Sequence, residues 1–205
     1  MPTFAFKKHG ITSETVKKMI LGAGVIYKNL VYTAGSNGAE GSWSGTVLGA
    51  TSGGIVYHHE IKWLEVEVDG ATVLVKGVSR QKVGESAYLE GNMTEITADV
   101  LTTALHMVAA TGNDASGDSN YTKYVTKENI DSSDYLTNIA YVGTLTDGKR
   151  VIIILPNAIC LEAFEINPQN ANQTTFKVRF ECTADLENDT LDKLDVEIYY
   201  PVATA

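Results

Sequence analysis

The sequence predicts a mainly β protein with one helix, built as a β-sandwich or barrel of two packed sheets flanked by that helix. Residues 94–110 carry apolar side chains at helical spacing in a single stripe. Nearly every other segment is a β-branched or alternating run, or a loop rich in Gly, Ser and Asn. A lone amphipathic helix must bury its stripe, and sheet is the apolar surface that such a chain provides.

The predicted helix has recognisable ends and one apolar face. Thr94 or Thr97 can cap its first turn, and Gly112 stands just beyond its end. The stripe consists of Ile96, Val100, Leu101, Ala104, Leu105 and Val108. We expect the substitution Leu101→Asp or Leu105→Asp to unfold the protein, since either would bury a charge.

The composition is that of an ordinary globular protein and not of one that grips nucleic acid. The 205 residues suffice for one well-buried core, and 44% of them are hydrophobic. A net charge of −9 argues against a nucleic-acid-binding surface, which needs clusters of Lys and Arg. Residues 1–10 lack the apolar segment of a secretory signal, and no stretch reaches the roughly 20 apolar residues of a membrane helix. We therefore expect a protein made in the cytosol, with no membrane partner.

Strands are predicted where β-branched and aromatic runs end at turn residues. Such runs are residues 22–32, 55–68, 72–78, 135–145, 150–155 and 193–200. Asp69-Gly70 favours a tight turn between the second and third runs. No shift in composition divides the chain, so we expect residues 1–205 to form a single domain.

Three polar segments lie outside these elements. Residues 1–18 form an N-terminal arm, and residues 33–54 and 111–133 form two long loops. Exposed loops and strand edges are liabilities in a monomer unless partners cover them, so this design favours assembly with copies of itself. The predicted contacts between subunits are Trp43, Val47, Leu48, Tyr121 and Tyr124.

The residue pattern on either side of Ala171 predicts a hairpin and its register. With its turn centred on Ala171, Cys160 faces Cys182 and Glu165 faces Lys177, which puts apolar side chains on one face. The two cysteines have no metal-binding spacing. In a reducing compartment we expect two buried, free thiols.

The residue pattern gives little support to catalysis or metal binding. His58 and His59 are adjacent, so on a strand they point to opposite faces and cannot chelate one metal together. Residues 113–120 resemble a calcium loop in composition but lack its spacing. Gly22-Ala23-Gly24 and Gly53-Gly54 lack the spacing of phosphate-binding loops. We predict no enzyme, no cofactor and no metal site.

Three carboxylates alternate along the second predicted strand. Glu65, Glu67 and Asp69 share one face, opposite the apolar Leu64 and Val66. They lack the partner acid in a hydrophobic pocket that acid–base catalysis needs. Two interpretations remain open: the solvated face of a half-buried strand, or an acidic wall with a function.

Glycine and hydrophobic patterns over most of residues 22–186 resemble those of a known family. The segments that carry the resemblance are residues 22–29, 48–54, 65–70, 75–77, 87–96 and 150–158. Together they resemble major tail (tail tube) proteins of long-tailed bacteriophages and prophages, particularly those of Gram-positive hosts. The family's fold of two packed sheets flanked by a helix is similar to the one predicted here.

The resemblance implies a virion structural protein whose hexameric rings stack into a hollow tail tube for genome passage. It implies that neighbouring sheets join within a ring, and that residues 1–18, 33–54 or 111–133 mediate stacking. Its partners would be further copies of the chain, a tape-measure protein, and DNA that passes the lumen without specific binding. An acidic lumen would let DNA slide, and Glu65, Glu67 and Asp69 are its candidates.

Two alternatives remain open. One is another phage-like structural protein: a contractile-tail or secretion-tube subunit, or a head–tail joining protein. The other is a β-sandwich ligand-binding module, which needs an aromatic-lined cleft. In the sequence Trp43, Tyr57, Trp63 and Tyr88 do not obviously converge on one.

Overall fold

The computed structural model describes residues 10–11, 13–36, 40–67, 69–70, 72–110, 120–186 and 191–202. Within them the chain forms ten strands and two α-helices. In order these are α1 (Ser13–Lys17), β1 (Ile20–Thr33), β2 (Ser42–Val47), β3 (Thr51–Glu65), β4 (Arg80–Met93), α2 (Ala98–Ala104), β5 (Met107–Ala109), β6 (Tyr124–Thr126), β7 (Leu136–Leu145), β8 (Arg150–Cys160), β9 (Phe176–Cys182) and β10 (Glu197–Tyr199). The predicted mainly β class is confirmed, with α2 as the helix that packs against the sheet.

Eight of these strands form one antiparallel sheet. Its order is β2-β1-β7-β8-β9-β4-β3, with β10 paired to β8, while β5 and β6 form a separate ribbon. The expected two large sheets are therefore one hydrogen-bonded path that folds over itself. Gly91 of β4 lies where β1 packs over β4: a Cβ at this position would lie 3.5 Å from Ile26 of β1 and 3.5 Å from Ile55 of β3.

Glycines in β1 and β3 allow this folding over. The register of β1 shifts around Gly24, and that of β3 shifts around Gly53 and Gly54. Their φ angles are 72°, 79° and 92°, a region that glycine enters at little cost. Bulges of this kind bend a strand and increase its twist. The glycines without phosphate-loop spacing thus curve the sheet.

The core lies inside the folded sheet. Side chains with less than 2% exposure from five strands, from α2 and from the segment after β2 meet there: Ile26, Leu48, Leu89, Met93, Val100, Ile139, Leu155, Val178 and Phe180. In β9 burial alternates along the strand, as expected when one face of a sheet is covered.

Helix α2 is shorter than residues 94–110. Thr97 caps it, its hydroxyl accepting a hydrogen bond from the Val100 amide at 3.2 Å. After the helix, His106 has a φ of 51°, and the chain turns into β5, where Val108 pairs with Val125 of β6. Strand pairing therefore overrides helical spacing at the end of the predicted stripe. Val100 has no exposed surface, whereas Leu101 is only half-buried.

Several predicted strands and loops differ from those in the structure. Residues 33–54 contain β2, so this segment is not one long loop. Residues 72–78 form turns instead of a strand, and the last strand shrinks to β10. Of the predicted N-terminal arm and second loop, residues 1–9 and 111–119 lie outside the described residues, and the rest include α1 and β6.

The predicted register of the hairpin around Ala171 is wrong by two residues. Ala158 pairs with Cys182, and Cys160 pairs with Phe180, because β8 ends at Cys160 and a wide connection follows instead of a tight hairpin. An even shift keeps every side chain on its predicted face. Both thiols are free and buried, as expected, and burial raises their pKa values, to about 11 for Cys182.

Candidate interaction surfaces

Strands β3 and β4 continue beyond the folded body as a two-stranded extension. The pairing of β4 with β9 spans Tyr88 to Met93, whereas its pairing with β3 continues to Glu65–Arg80. Positions 59–65 of β3 and 80–83 of β4 are all exposed. We call residues 60–84 the ribbon.

The ribbon exposes apolar side chains instead of the polar ones expected at a water-exposed edge. Val73 is 75% exposed, Val83 61% and Trp63 57%. Its other exposed large apolar residues are Ile61, Leu64, Leu74, Val75 and Val78. An isolated two-stranded hairpin is marginally stable in water, and a cluster of exposed apolar residues marks an interaction surface. The sequence signal for this surface was the apolar run at 73–75, which resembles a buried strand.

A largely buried carboxylate, that of Glu85, holds the base of the ribbon in place. Glu85 pairs with Lys82, lies 2.6 Å from His59 Nε2, and accepts a hydrogen bond from the Leu194 amide at 3.3 Å. The hydrogen bond from Lys82, supported by those from His59 and Leu194 and opposed by burial, lowers the pKa of Glu85 to about 2. Glu85 thereby joins β3, β4 and the C-terminal segment.

A groove lies on the outward face of the sheet, between β1, β2, β8 and β10. Its volume is about 630 Å³. Trp43 stands between two tyrosines, with ring centroids 5.0 Å from Tyr32 and 4.8 Å from Tyr199. Leu30 and Ile152 are buried residues that line it. We call this surface the aromatic groove; the exposed guanidinium of Arg150 also lines it.

The other half of the outward face, on β3, β4 and β9, is charged and internally paired. Arg179 lies 3.9 Å above the Tyr88 ring and 2.8 Å from Glu181. Lys177 lies 3.0 Å from Glu90, which raises the pKa of Lys177. These charges therefore have partners within the chain, while the buried Nε of Arg179 has no hydrogen-bond partner among the described residues.

The residues predicted to contact other subunits have different locations. Trp43 lines the aromatic groove, and Val47 is 48% exposed on the edge strand β2. Tyr121 is 74% exposed, and Tyr124 is half-buried in β6. Leu48, at 1% exposure, belongs to the core and not to the surface, because it follows the end of β2 and turns inward.

The three predicted lumen residues lie near the tip of the ribbon, and all are exposed. Glu65 ends β3, where it pairs with Arg80, while Glu67 and Asp69 follow in the connection. They therefore do not share one strand face as predicted. The strand ends too early, because the turn at Asp69-Gly70 does not join two strands directly but lies within a longer connection from β3 to β4.

Neither a metal centre nor a membrane helix is found among the described residues. No group of three or more His, Cys, Asp or Glu side chains in them is placed to hold a metal ion. His58 lies 3.8 Å from Glu60, and the adjacent His59 lies near Glu85 on the opposite face. Helices in the same described parts are all too short or too polar to cross a bilayer.

No family model and no curated protein matches the sequence. Among solved structures, the chain is similar to one from the tail of an empty gene transfer agent particle with C6 symmetry: 8% identity, 80% of this chain and 92% of that chain covered, TM-score 0.33. A second is from the virion of a native gene transfer agent particle: 11% identity, 69% and 85% covered, TM-score 0.33.

Proposed function

We propose that this chain is a phage-like structural protein, and specifically the subunit of a hollow tail tube built from stacked rings. One observation carries the proposal: the ribbon holds eight large apolar side chains in exposed positions. Nothing in the described part of the chain covers them, and soluble proteins avoid such exposure outside interaction sites. Self-assembly buries them. The resemblance in residues 22–186 to tail tube proteins supports the same conclusion.

The two ends of the sheet support assembly into rings. Strand β2, with six residues, ends the strand order on one side, and β3, with fifteen, ends it on the other. An exposed edge strand can pair with a strand of another chain. Because the two edges differ, pairing one with the other is head-to-tail, which gives closed rings or filaments. We propose rings of six whose sheets join in this way.

The acidity of the chain suits a tube that DNA traverses. With a net charge of −9, its surface repels phosphate, and each missing Lys or Arg contact removes a source of adhesion. Glu65, Glu67 and Asp69 are the candidates for an acidic lumen face. In this proposal the protein is made in the host cytoplasm, resides in the virion tail, and surrounds a tape-measure protein and then DNA without catalysing a reaction.

Electron microscopy of concentrated protein tests this proposal. Negative-stain images and light scattering should reveal rings or tubes with a central channel. Rings that never stack would favour a head–tail joining protein instead. A chain that stays strictly monomeric at high concentration would contradict self-assembly of either kind.

The aromatic groove supports a second candidate function, a ligand-binding module. Tyr32, Trp43 and Tyr199 converge there, although Trp63 and Tyr88 lie elsewhere. Stacked aromatic rings suit planar or sugar ligands. Glycans from a panel are titrated into the protein while its Trp fluorescence is measured. The fluorescence should then change saturably, and Trp43→Phe should alter this change whereas Trp63→Phe should not. A flat response across the panel would remove this candidate.

A further inference from the structure

We propose that the aromatic groove of one copy of this chain receives the ribbon of another copy. The inference rests on the proposed self-assembly and adds which two surfaces meet. Both surfaces are apolar, and in the described parts of the chain neither is covered. A second copy therefore offers each surface the partner that the described part of the first copy does not supply.

The two surfaces have complementary shapes. The ribbon is a narrow projection that carries Trp63 and Val73, exposed by 57% and 75%. The groove is a concavity of about 630 Å³, with Leu30 and Ile152 buried beneath it at 3% and 6% exposure. Stable protein interfaces typically centre on a large aromatic side chain in an apolar pocket. Trp63 of the ribbon is such an anchor.

The two surfaces also have complementary charge. Segment 65–69, near the tip of the ribbon, holds the carboxylates of Glu65, Glu67 and Asp69. The formal charge lining the groove is the guanidinium of Arg150. Arginine binds carboxylates in a two-pronged geometry and sets the orientation of an interface. Docking thus gives these carboxylates a partner in the next copy instead of a position on the lumen face.

This contact and the proposed edge pairing form one head-to-tail interface, because the groove borders the edge strand β2 and the ribbon continues the edge strand β3. The ribbon belongs to β3 and β4 at one end of the strand order, and the groove belongs mainly to β1, β2 and β10. Each copy therefore offers one ribbon and one groove, and a docked pair retains one unused surface of each kind. Such a contact continues from copy to copy until it closes.

Two variants that each lose one surface test the inference. The ribbon variant carries Trp63→Ser and Val73→Ser, and its control carries Thr72→Ser and Gln81→Ser at exposed polar positions of the ribbon. The groove variant is Ser44→Glu, which places a bulky negative charge in the groove. Its control is Ser42→Glu, exposed on the same strand but outside the groove.

We expect each variant alone to be monomeric by sedimentation velocity, and both controls to assemble like the wild type. An equimolar mixture of the two variants should form dimers and nothing larger. In each dimer the intact ribbon of the groove variant occupies the intact groove of the ribbon variant, and the remaining two surfaces are defective. Circular dichroism should confirm that every variant is folded, since all substituted residues are exposed or line an open groove.

Other outcomes overturn the inference in distinguishable ways. If either variant assembles like the wild type, or if the mixture stays monomeric while the wild type forms rings, the docking is wrong and the proposed tube stands. If the wild type itself remains monomeric at high concentration, both the docking and the proposed function fail.

Discussion

The β3–β4 hairpin has two regions in opposite environments: the ribbon, and the remainder within the folded body, residues 51–59 and 85–93, which we call the root. In the root, Leu89 and Met93 have no exposed surface and pair with Phe180 and Phe176 of β9. In the ribbon, Trp63 is 57% exposed, although the ladder between β3 and β4 continues without another strand beside it. Backbone pairing is thus the same in both regions, and the difference is whether other elements pack over the side chains.

The comparison separates two uses of apolar residues on one strand. Where other elements cover them, they supply the free energy of folding, about 25 cal/mol per Å² of buried apolar surface. Where nothing in the described chain covers them, they oppose solubility, and in the proposed assembly they supply the free energy of association. Substitutions in the root should therefore change unfolding, and substitutions in the ribbon should change assembly.

The largest effect is expected in the root. Leu89→Ala should lower the free energy of unfolding by about 2–5 kcal/mol, because it leaves a cavity beside Phe180. Urea unfolding in the background of the monomeric ribbon variant measures this without the added stability that assembly gives. Val83→Ala, on the same strand but 61% exposed, should change it by about 0.5 kcal/mol or less. Equal losses at both positions would remove the distinction between root and ribbon.

A smaller effect is expected at the boundary between the two regions. Glu85→Gln weakens the pair with Lys82 and the hydrogen bonds with His59 and the Leu194 amide. It should lower the free energy of unfolding by about 1.5–3 kcal/mol at neutral pH. Hydrogen exchange should then rise at the base of the ribbon and in residues 191–194. The control is Glu60→Gln, a more exposed carboxylate on β3. A variant that matches this control would contradict a fastening role for Glu85.

The same carboxylate predicts a pH dependence. In the folded chain the pKa of Glu85 is about 2, below its ordinary 4.5. Near pH 3 this carboxyl group therefore binds fewer protons in the folded chain than in the unfolded chain. The contribution of Glu85 is therefore complete above pH 4.5 and is lost as the pH falls to 2. Urea unfolding from pH 7 to pH 2 should show the wild type and Glu85→Gln converging. A constant difference across this range would contradict the assignment.

Local patterns in the sequence predicted those parts of the fold that local patterns determine. The alternation and β-branching of residues 22–32 and 135–145 predicted β1 and β7 to within a few residues. The spacing of Val100 and Ala104 predicted the buried face of α2. Thr97, as one of two possible caps, marked its start.

Features that depend on distant partners were not predictable in this way. Strand β2 lies in a Gly- and Ser-rich segment without a β-branched run, and it forms by pairing with the preceding strand β1. The register of β8 with β9 was wrong by two residues, since an even shift leaves the same side chains facing the core. The groove was missed because Tyr199, far from Trp43 in sequence, reaches it through the pairing of β10 with β8.

Charge reversal in the groove should have the smallest effect on folding and a selective effect on assembly. Arg150 is exposed, so Arg150→Glu should change the free energy of unfolding by about 0.5 kcal/mol or less. If the ribbon docks in the groove, the same change should raise the concentration needed for assembly on the order of tenfold at low salt, since the new carboxylate repels segment 65–69. High salt should reduce the difference. Lys123→Glu, exposed outside the groove, is the control for net charge.

A compensating change on the ribbon separates a direct contact from a general charge effect. Adding Glu67→Lys to Arg150→Glu restores opposite charges across the proposed contact between two copies and should restore assembly toward the wild-type level. Adding Glu128→Lys instead restores only the net charge, at an exposed position between β6 and β7. Equal recovery by both would mean that Glu67 does not meet Arg150. Because Glu67 would then have no partner in the next copy, it would remain available to line an acidic lumen.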